Sequence, residues 1–195
     1  ATLIEPFSVG IHACNLINLK LGEKVLVLGL GPIGLLASIA IKLSGGIVWG
    51  IEKNEKRIEV AKELGIENVF DTKKVEVNEI KKMVDEKFDV VFECSGFSSL
   101  MVESINLVKR GGRIVFIGLG TDFINFNISK LVINEIKIFG VFRYANTYKK
   151  AIKMMEKVNI NFKKLITKKF NLSEIKEAIE YIEKNQDCIK VIINP

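Results

Sequence analysis

Short runs of β-branched and aromatic residues recur along this chain with amphipathic segments between them, and that alternation constrains the fold more than any other feature. "KVLVLG" (24–29) precedes a helical pattern over 32–43, "IVWGIE" (47–52) one over 55–64, "NVF" (68–70) one over 78–86, and "FDVVFEC" (88–94) one over 98–109. "RIVFIG" (113–118) and "IKIFGVF" (136–142) follow, the second leading into a pattern over 147–158. Strands that are apolar on both faces must be covered on both faces, which crossover helices achieve and hairpins do not. The pattern predicts an α/β fold with a doubly wound, six-stranded parallel sheet of the Rossmann type.

Two segments fall outside the alternation. Residues 6–20 carry Val9, Ala13, Leu16 and Ile17 at helical spacing, with Pro6 suited to a first turn, and they precede the first strand. Residues 160–195 read as a strand "LITKKF" (165–170), a helix capped by Ser173 with Ile175, Ala178, Ile179 and Ile182 on one face, and a last strand "CIKVIIN" (188–194). Neither of these strands has a place in the parallel sheet. The expected division is a helix within 1–20, a dinucleotide-binding domain over 21–159, and a separate C-terminal unit over 160–195.

Composition narrows the class. The chain has 195 residues, 48% of them hydrophobic, with no run of about 18 apolar residues and no basic start followed by an apolar stretch. That reading places the protein in the cytoplasm, with no membrane partner. Cys14, Cys94 and Cys188 show no CxxC or His/Cys spacing, as expected of reduced thiols and not of a self-contained zinc site. The net charge of +6 comes from lysines interleaved with glutamates, as in "EKNEKRIEVAKE" and "EIKKMVDEK". Such interleaving describes solvated helix faces, where nucleic acid would call for a clustered basic stripe.

"VLVLGLGPIG" places Gly29, Gly31 and Gly34 in GxGxxG spacing between a strand and a helix. The first glycine permits a tight turn, the second lets backbone approach a pyrophosphate, and the third lets helix and strand pack closely. Glu52 ends the second predicted strand, eighteen residues after Gly34, where a carboxylate accepts hydrogen bonds from both ribose hydroxyls and repels a 2′-phosphate. NAD is therefore expected over NADP, with Lys53 beside Glu52 as a possible softening of that choice. Arg57, one helical turn further on, is placed to lie over the adenine. Each of these residues also has a plainer role, as a turn glycine, the first polar residue after a buried strand, or a surface arginine.

Strands four and five end in "ECSG" and "FIGLG", whose Gly96, Gly118 and Gly120 keep side chains away from the sheet's ligand-binding edge. Backbone at Ile117, Gly118 and Leu119 is positioned to hydrogen-bond a nicotinamide carboxamide. The sixth strand ends in "GVFRYANT", which brings Phe142, Arg143 and Tyr144 to the reacting end of a dinucleotide. A structural salt bridge and core aromatics are the alternative for these three.

"IEPFSVGIHAC", "GLGPIG", "EKNEKR", "DVVFECSG", "GGRIVFIGLG" and above all "GVFRYANT" resemble the sorbitol-type polyol dehydrogenases of the zinc-dependent medium-chain alcohol dehydrogenase superfamily, over nearly the whole chain. The resemblance implies oxidation of a secondary hydroxyl of a polyol by NAD⁺ at a catalytic zinc that acidifies the bound hydroxyl, in a homo-oligomer, often a tetramer. It assigns Ile33, Glu52, Arg57, Ile117, Gly118, Leu119, Val141, Phe142 and Arg143 to NAD, and Arg143 and Tyr144 to the polyol. Glu5, a lone carboxylate in the apolar stretch at the N-terminus, falls at the zinc, bound directly or through water, and its neighbours Pro6 and Phe7 suggest burial. The other zinc ligands, a cysteine and a His-Glu pair, have no counterpart here, and His12 reads as structural. The resemblance thus implies a preceding catalytic domain, linked by the first helix and completed by the strands at 165–170 and 188–194. Other alcohol, xylitol or threonine dehydrogenases, a non-catalytic NAD-binding module and a methyltransferase remain as alternatives.

Overall fold

The computed structural model describes residues 1–84, 87–120 and 123–195. Six strands, β1 (Lys24–Leu28), β2 (Ile47–Glu52), β3 (Asn68–Asp71), β4 (Phe88–Glu93), β5 (Val108–Phe116) and β6 (Lys137–Gly140), form one parallel sheet in the order β3-β2-β1-β4-β5-β6. The strand order reverses between β1 and β4, so a crevice opens at their C-terminal ends. Helices α1 (Ile4–Leu16), α2 (Pro32–Leu43), α3 (Glu55–Glu63), α4 (Val77–Met83), α5 (Ser98–Leu107), α6 (Ile128–Ile133) and α7 (Tyr148–Lys157) surround it.

Consecutive strand residues serve opposite cores, which explains the unbroken apolar runs. Val25, Val27, Val90, Phe92 and Val115 join one cluster with α1, α2 and α7, while Leu26, Leu28, Val91 and Ile114 join a second with Ile80 of α4 and Ile105 of α5. Each such side chain withdrawn from water contributes about 1.5–3 kcal/mol. The expected fold class is therefore the observed one.

The first helix belongs to the first of these cores. At Gly10 a methyl group would stand 2.8 Å from the Ala37 Cα, so the backbones of α1 and α2 are in near contact. Phe7 is fully buried against Phe162, ring centroids 5.7 Å apart, and Thr147 donates to the Ser8 carbonyl at 3.0 Å. The helix ends at Leu16 and not at residue 20, because Asn18 takes a left-handed conformation (φ 51°) and the Leu19 N–H turns back to the Cys14 carbonyl at 3.0 Å. Leu16, expected on the buried face, points to solvent, whereas Val9, Ala13 and Ile17 are buried as expected.

Other boundaries shift for local reasons. Strand β5 starts at Val108, five residues early, with its register against β4 broken between Phe88 and Val90. Helix α4 spans Val77–Met83, and positions 85 and 86 of the expected helix lie outside the described residues. Helix α6 was not foreseen: it has six residues, none buried, and is started by the Asn127 side chain accepting the Lys130 N–H at 2.9 Å.

After α7 the chain forms β7 (Ile166–Asn171), a 3-10 turn (Leu172–Glu174), α8 (Ile175–Lys184) and β8 (Lys190–Asn194). β7 and β8 pair in parallel as a separate two-stranded sheet. The cap of this unit is Asn171 and not Ser173: Asn171 and Glu174 form a reciprocal capping box, with the Asn171 N–H donating to Glu174 Oε2 at 2.6 Å. Of the expected apolar face only Ala178 is buried, while Ile175, Ile179 and Ile182 stay open to solvent. No helix among the described residues is long and apolar enough to cross a membrane.

Candidate functional site

The β1–α2 loop sets the floor of the crevice. Gly29 sits at φ +88°, a conformation other residues adopt only under strain, and its N–H donates to the Ile51 carbonyl at 3.0 Å. A methyl group at Gly34 would lie 1.9 Å from the Gly29 carbonyl oxygen, so α2 leaves the strand at a distance only hydrogen permits. Gly31 caps α2 with Pro32 in the first turn and without a side-chain hydrogen bond. The first N–H groups of this twelve-residue helix thus point outward with the positive end of its dipole. Only Arg57 Nη1, at 3.8 Å, would meet a side chain at Gly31 among the described residues. Ile33 is half-buried in the same first turn.

Glu52 closes one wall at only 7% exposure. Its Oε2 accepts the Leu30 N–H at 2.9 Å, and its Oε1 accepts those of Lys53 at 2.8 Å and Asn54 at 3.0 Å. A carboxylate offers about four acceptor positions, so three backbone donors orient this one and leave capacity for a ligand hydroxyl. Arg57 Nη1 lies 3.9 Å from Glu52 Oε2, and its Nη2 donates to the Cys188 carbonyl at 3.1 Å. The Arg57 Nε is buried with no hydrogen-bond partner among the described residues, a donor left over for something outside the chain. Asn54, which caps α3 through the Arg57 N–H, donates to the Gln186 carbonyl at 3.1 Å and to Asp187 Oδ1 at 2.8 Å. The segment before β8 is thereby tied to the loop that holds Glu52.

Gly29, Gly31, Glu52 and Arg57 line one cavity of about 530 Å³, as expected, with Gly34 supporting it from behind. Its opposite wall was missed: Thr72 after β3, and Ser95, Phe97, Ser99 and Leu100 after β4. The Lys53 ammonium stands 5.2 Å from the Phe97 ring centroid across the mouth. The signal available in sequence was position alone, since side chains just past a parallel strand's C-terminal end face this crevice. Cys94 also lines it, and burial, then the neighbouring Glu93 charge, push its thiol up, so it stays neutral.

The far end is less closed. The N–H groups of Ile117 and Gly118 both donate to the Glu93 carbonyl, at 2.9 and 3.0 Å, so of the expected 117–119 contacts the carbonyl oxygens and Leu119 are what a ligand would meet. Val141 is buried and extends β6 through its N–H to the Phe116 carbonyl at 2.9 Å. Phe142 is 72% exposed, and the Arg143 guanidinium carbon stands 5.1 Å from its ring centroid. Arg143 is held at φ 56°, and Tyr144 is half-buried with its ring 5.7 Å from that of Tyr148. None of Val141, Phe142, Arg143 and Tyr144 lines the 530 Å³ cavity.

The expectation that Glu5 is buried is corrected: it is exposed in the first turn of α1 while Pro6 and Phe7 are buried. Neighbours in sequence stand about 100° apart on a helix, so an apolar stretch does not enclose its one acid. His12 is half-buried on the same helix. Among the described residues no three His, Cys, Asp or Glu side chains are grouped as a metal site, and all three cysteines are free.

Strand order, glycine loop and strand-end acid together define a Rossmann-type dehydrogenase fold. The family model described as zinc-binding dehydrogenase matches residues 32–157, and the chain belongs to that family. Sorbitol dehydrogenase of Bacillus subtilis (strain 168) is 34% identical over 200 residues, covering 100% of this chain and 57% of its own length. A short chain alcohol dehydrogenase from E. coli CFT073, solved with NADH, superposes with a TM-score of 0.91 at 26% identity, over 98% of this chain and 58% of that one. A zinc-binding dehydrogenase from Sinorhizobium meliloti 1021, solved with NADP, gives a TM-score of 0.90 at 25% identity, over 98% and 58%. The chain spans little more than half the length of the curated relatives it matches.

Proposed function

We propose that the chain is the NAD-binding half of a zinc-dependent polyol dehydrogenase that oxidises a secondary hydroxyl of a sorbitol-type polyol to a ketose. The observation that carries the reading is the buried Glu52 carboxylate, fixed by three backbone N–H groups beside the open α2 N-terminus and the unpartnered Arg57 Nε. Acceptors for ribose hydroxyls and donors for a diphosphate are brought to one cavity, so a dinucleotide fits what the residues offer. Solved relatives carry NADH or NADP, so the choice between them rests on Glu52. A 2′-phosphate would bring its charge against a buried carboxylate, which favours NAD.

In this reading Gly31 and the first N–H groups of α2 take the diphosphate, and Glu52 takes the adenosine ribose hydroxyls. Arg57 lies beside both. Residues 117–119 with Val141 and Phe142 flank the nicotinamide, whereas Arg143 and Tyr144 meet the polyol hydroxyls. Bound NAD⁺ would accept the hydride, and the substrate's hydroxyl proton would leave through groups outside this chain.

The described residues do not fit a zinc ion by themselves, because Glu5 is solitary and exposed. Glu5 is read as one neighbour of a zinc whose other ligands lie in a catalytic half outside this chain. The open apolar rows on α6 (Ile128, Val132, Ile133) and on α8 (Ile175, Ile179, Ile182) support further protein being packed on each of them, from that half and from other subunits of a homo-oligomer.

Fluorescence titration of the intact protein with NADH and NADPH tests the reading. NADH is expected to bind at least about tenfold more tightly, as one strongly unfavourable charge contact costs 1.4 kcal/mol or more. Equal or tighter NADPH binding, or binding of neither, would overturn it.

A further inference from the structure

We infer that Glu93 is a positioning residue of this crevice, its buried carboxylate holding the phosphate loop, the β4–α5 turn and the loop after β5 in one arrangement. The inference rests on the cofactor reading above. Glu93 is the last residue of β4, the strand across the reversal from β1, and it is fully buried. Its Oε1 accepts the N–H groups of Ser95 at 2.8 Å and Gly96 at 3.0 Å together with the Ser95 hydroxyl, and its Oε2 accepts the Gly96 N–H at 3.2 Å. Three donors converge on one oxygen, a density an ionised carboxylate supports better than a neutral amide.

The turn held in this way touches both neighbouring loops. A methyl group at Gly29 of the phosphate loop would stand 2.8 Å from Ser95 Cβ, and one at Gly96 2.8 Å from the Leu119 carbonyl oxygen. At Gly118 it would stand 2.6 Å from Glu93 Oε2 and 2.4 Å from the Gly96 nitrogen. The Glu93 carbonyl meanwhile accepts the N–H groups of Ile117 and Gly118. One residue therefore sets the spacing of loops that belong to three different strands. No Lys or Arg among the described residues pairs with it, so the charge is kept at a desolvation cost that closure of an ordinary turn does not require. Burial raises its carboxyl above the ordinary range, and the Ser95 and Gly96 hydrogen bonds oppose that rise.

The test compares NADH with AMP, which lacks the nicotinamide half, in the intact wild-type, Glu93→Ala and Glu93→Gln proteins. Glu93→Ala is expected to weaken NADH at least about tenfold, since small misplacements of binding groups are costly, and AMP by a clearly smaller factor, because AMP meets the phosphate loop and the Ser95 wall but not the loop after β5. Glu93→Gln retains an acceptor oxygen and should restore NADH to within about threefold of wild type, the scale of one neutral hydrogen bond. Equal losses for both ligands, or unchanged NADH binding in Glu93→Ala, would overturn the inference. If Glu93→Ala does not fold, Glu93→Asp, whose shorter side chain draws the carboxylate away from the Ser95 and Gly96 N–H groups, must show the same selective loss of NADH, or the inference fails. Failure of the wild-type protein to bind NADH would instead sink the cofactor reading.

Discussion

The two ends of the crevice are built differently. At the Glu52 end, the groups are tightly held: three backbone N–H groups fix the acid, the Asn54 side chain caps α3 while reaching residues 186 and 187, and Gly34 closes helix on strand. At the far end, Leu119 is 84% exposed, Phe142 is 72% exposed, and Arg143 rests on Phe142 with no other partner among the described residues. The first arrangement is fixed by this chain and leaves only the Arg57 Nε unpartnered among the described residues. The second has the character of one wall, left open where the relatives are nearly twice as long.

Substitutions separate the two ends, and the largest effect belongs to the closed one. Gly34→Ala places a methyl 1.9 Å from the Gly29 carbonyl oxygen, which helix and strand must separate to admit. The cost is expected to be about 3 kcal/mol. Thermal denaturation should show Tm lowered by roughly 6–12 °C for a chain of this size. An unchanged Tm would show that the closeness of α2 to β1 is not needed. Glu52→Ala comes next, at about 2 kcal/mol, because the Leu30, Lys53 and Asn54 N–H groups lose their acceptor. Urea unfolding measures that loss, and an NADH titration should show a parallel fall in affinity of at least about tenfold, the equivalent of 1.4 kcal/mol.

Glu93 stands between the two ends, and its expected effect is on the slope of stability against pH. Because burial raises its carboxyl above the ordinary carboxylate range, the folded protein holds that proton more tightly than the unfolded chain does. The stability contributed by its protonated form is full below the unfolded chain's carboxyl range and is lost as pH rises through the raised value. Urea unfolding of wild type and Glu93→Gln across this range should therefore differ in slope, with wild type losing stability relative to the variant as pH rises. Parallel curves would contradict the raised carboxyl. A smaller loss, about 1 kcal/mol, is expected for Asn54→Ala, which removes the α3 cap and both donors to the C-terminal segment. Faster hydrogen exchange at the Cys188 amide would report that the tether has been cut.

The same division governs what could be read in advance. The sheet and the glycine loop were legible because β-branched runs, a strand-end acid and GxGxxG spacing are local patterns that reinforce one another in strand–loop–helix context. Helix α6 was not, since six residues with none buried carry no apolar period. Ser173 looked like a cap but yielded to Asn171, whose partner Glu174 completes a capping box. Phe97 and Thr72 were missed because only the fold brings them opposite Glu52, and Glu5 was misjudged because adjacency in sequence was taken for adjacency in space.

The smallest stability effect is expected at the open end, and there it discriminates most. Arg143 is exposed and in a left-handed conformation that alanine shares, so Arg143→Ala leaves the backbone strain as it was and removes only the stacking on Phe142. Stability should change by no more than about 0.5 kcal/mol, the range of surface substitutions. If Arg143 meets the polyol, KM for the polyol in the intact protein should nonetheless rise by about tenfold or more, as expected for loss of a charged hydrogen bond to a bound hydroxyl. A change in stability without a change in KM would make Arg143 a structural residue and would show that the open wall is finished by this chain after all.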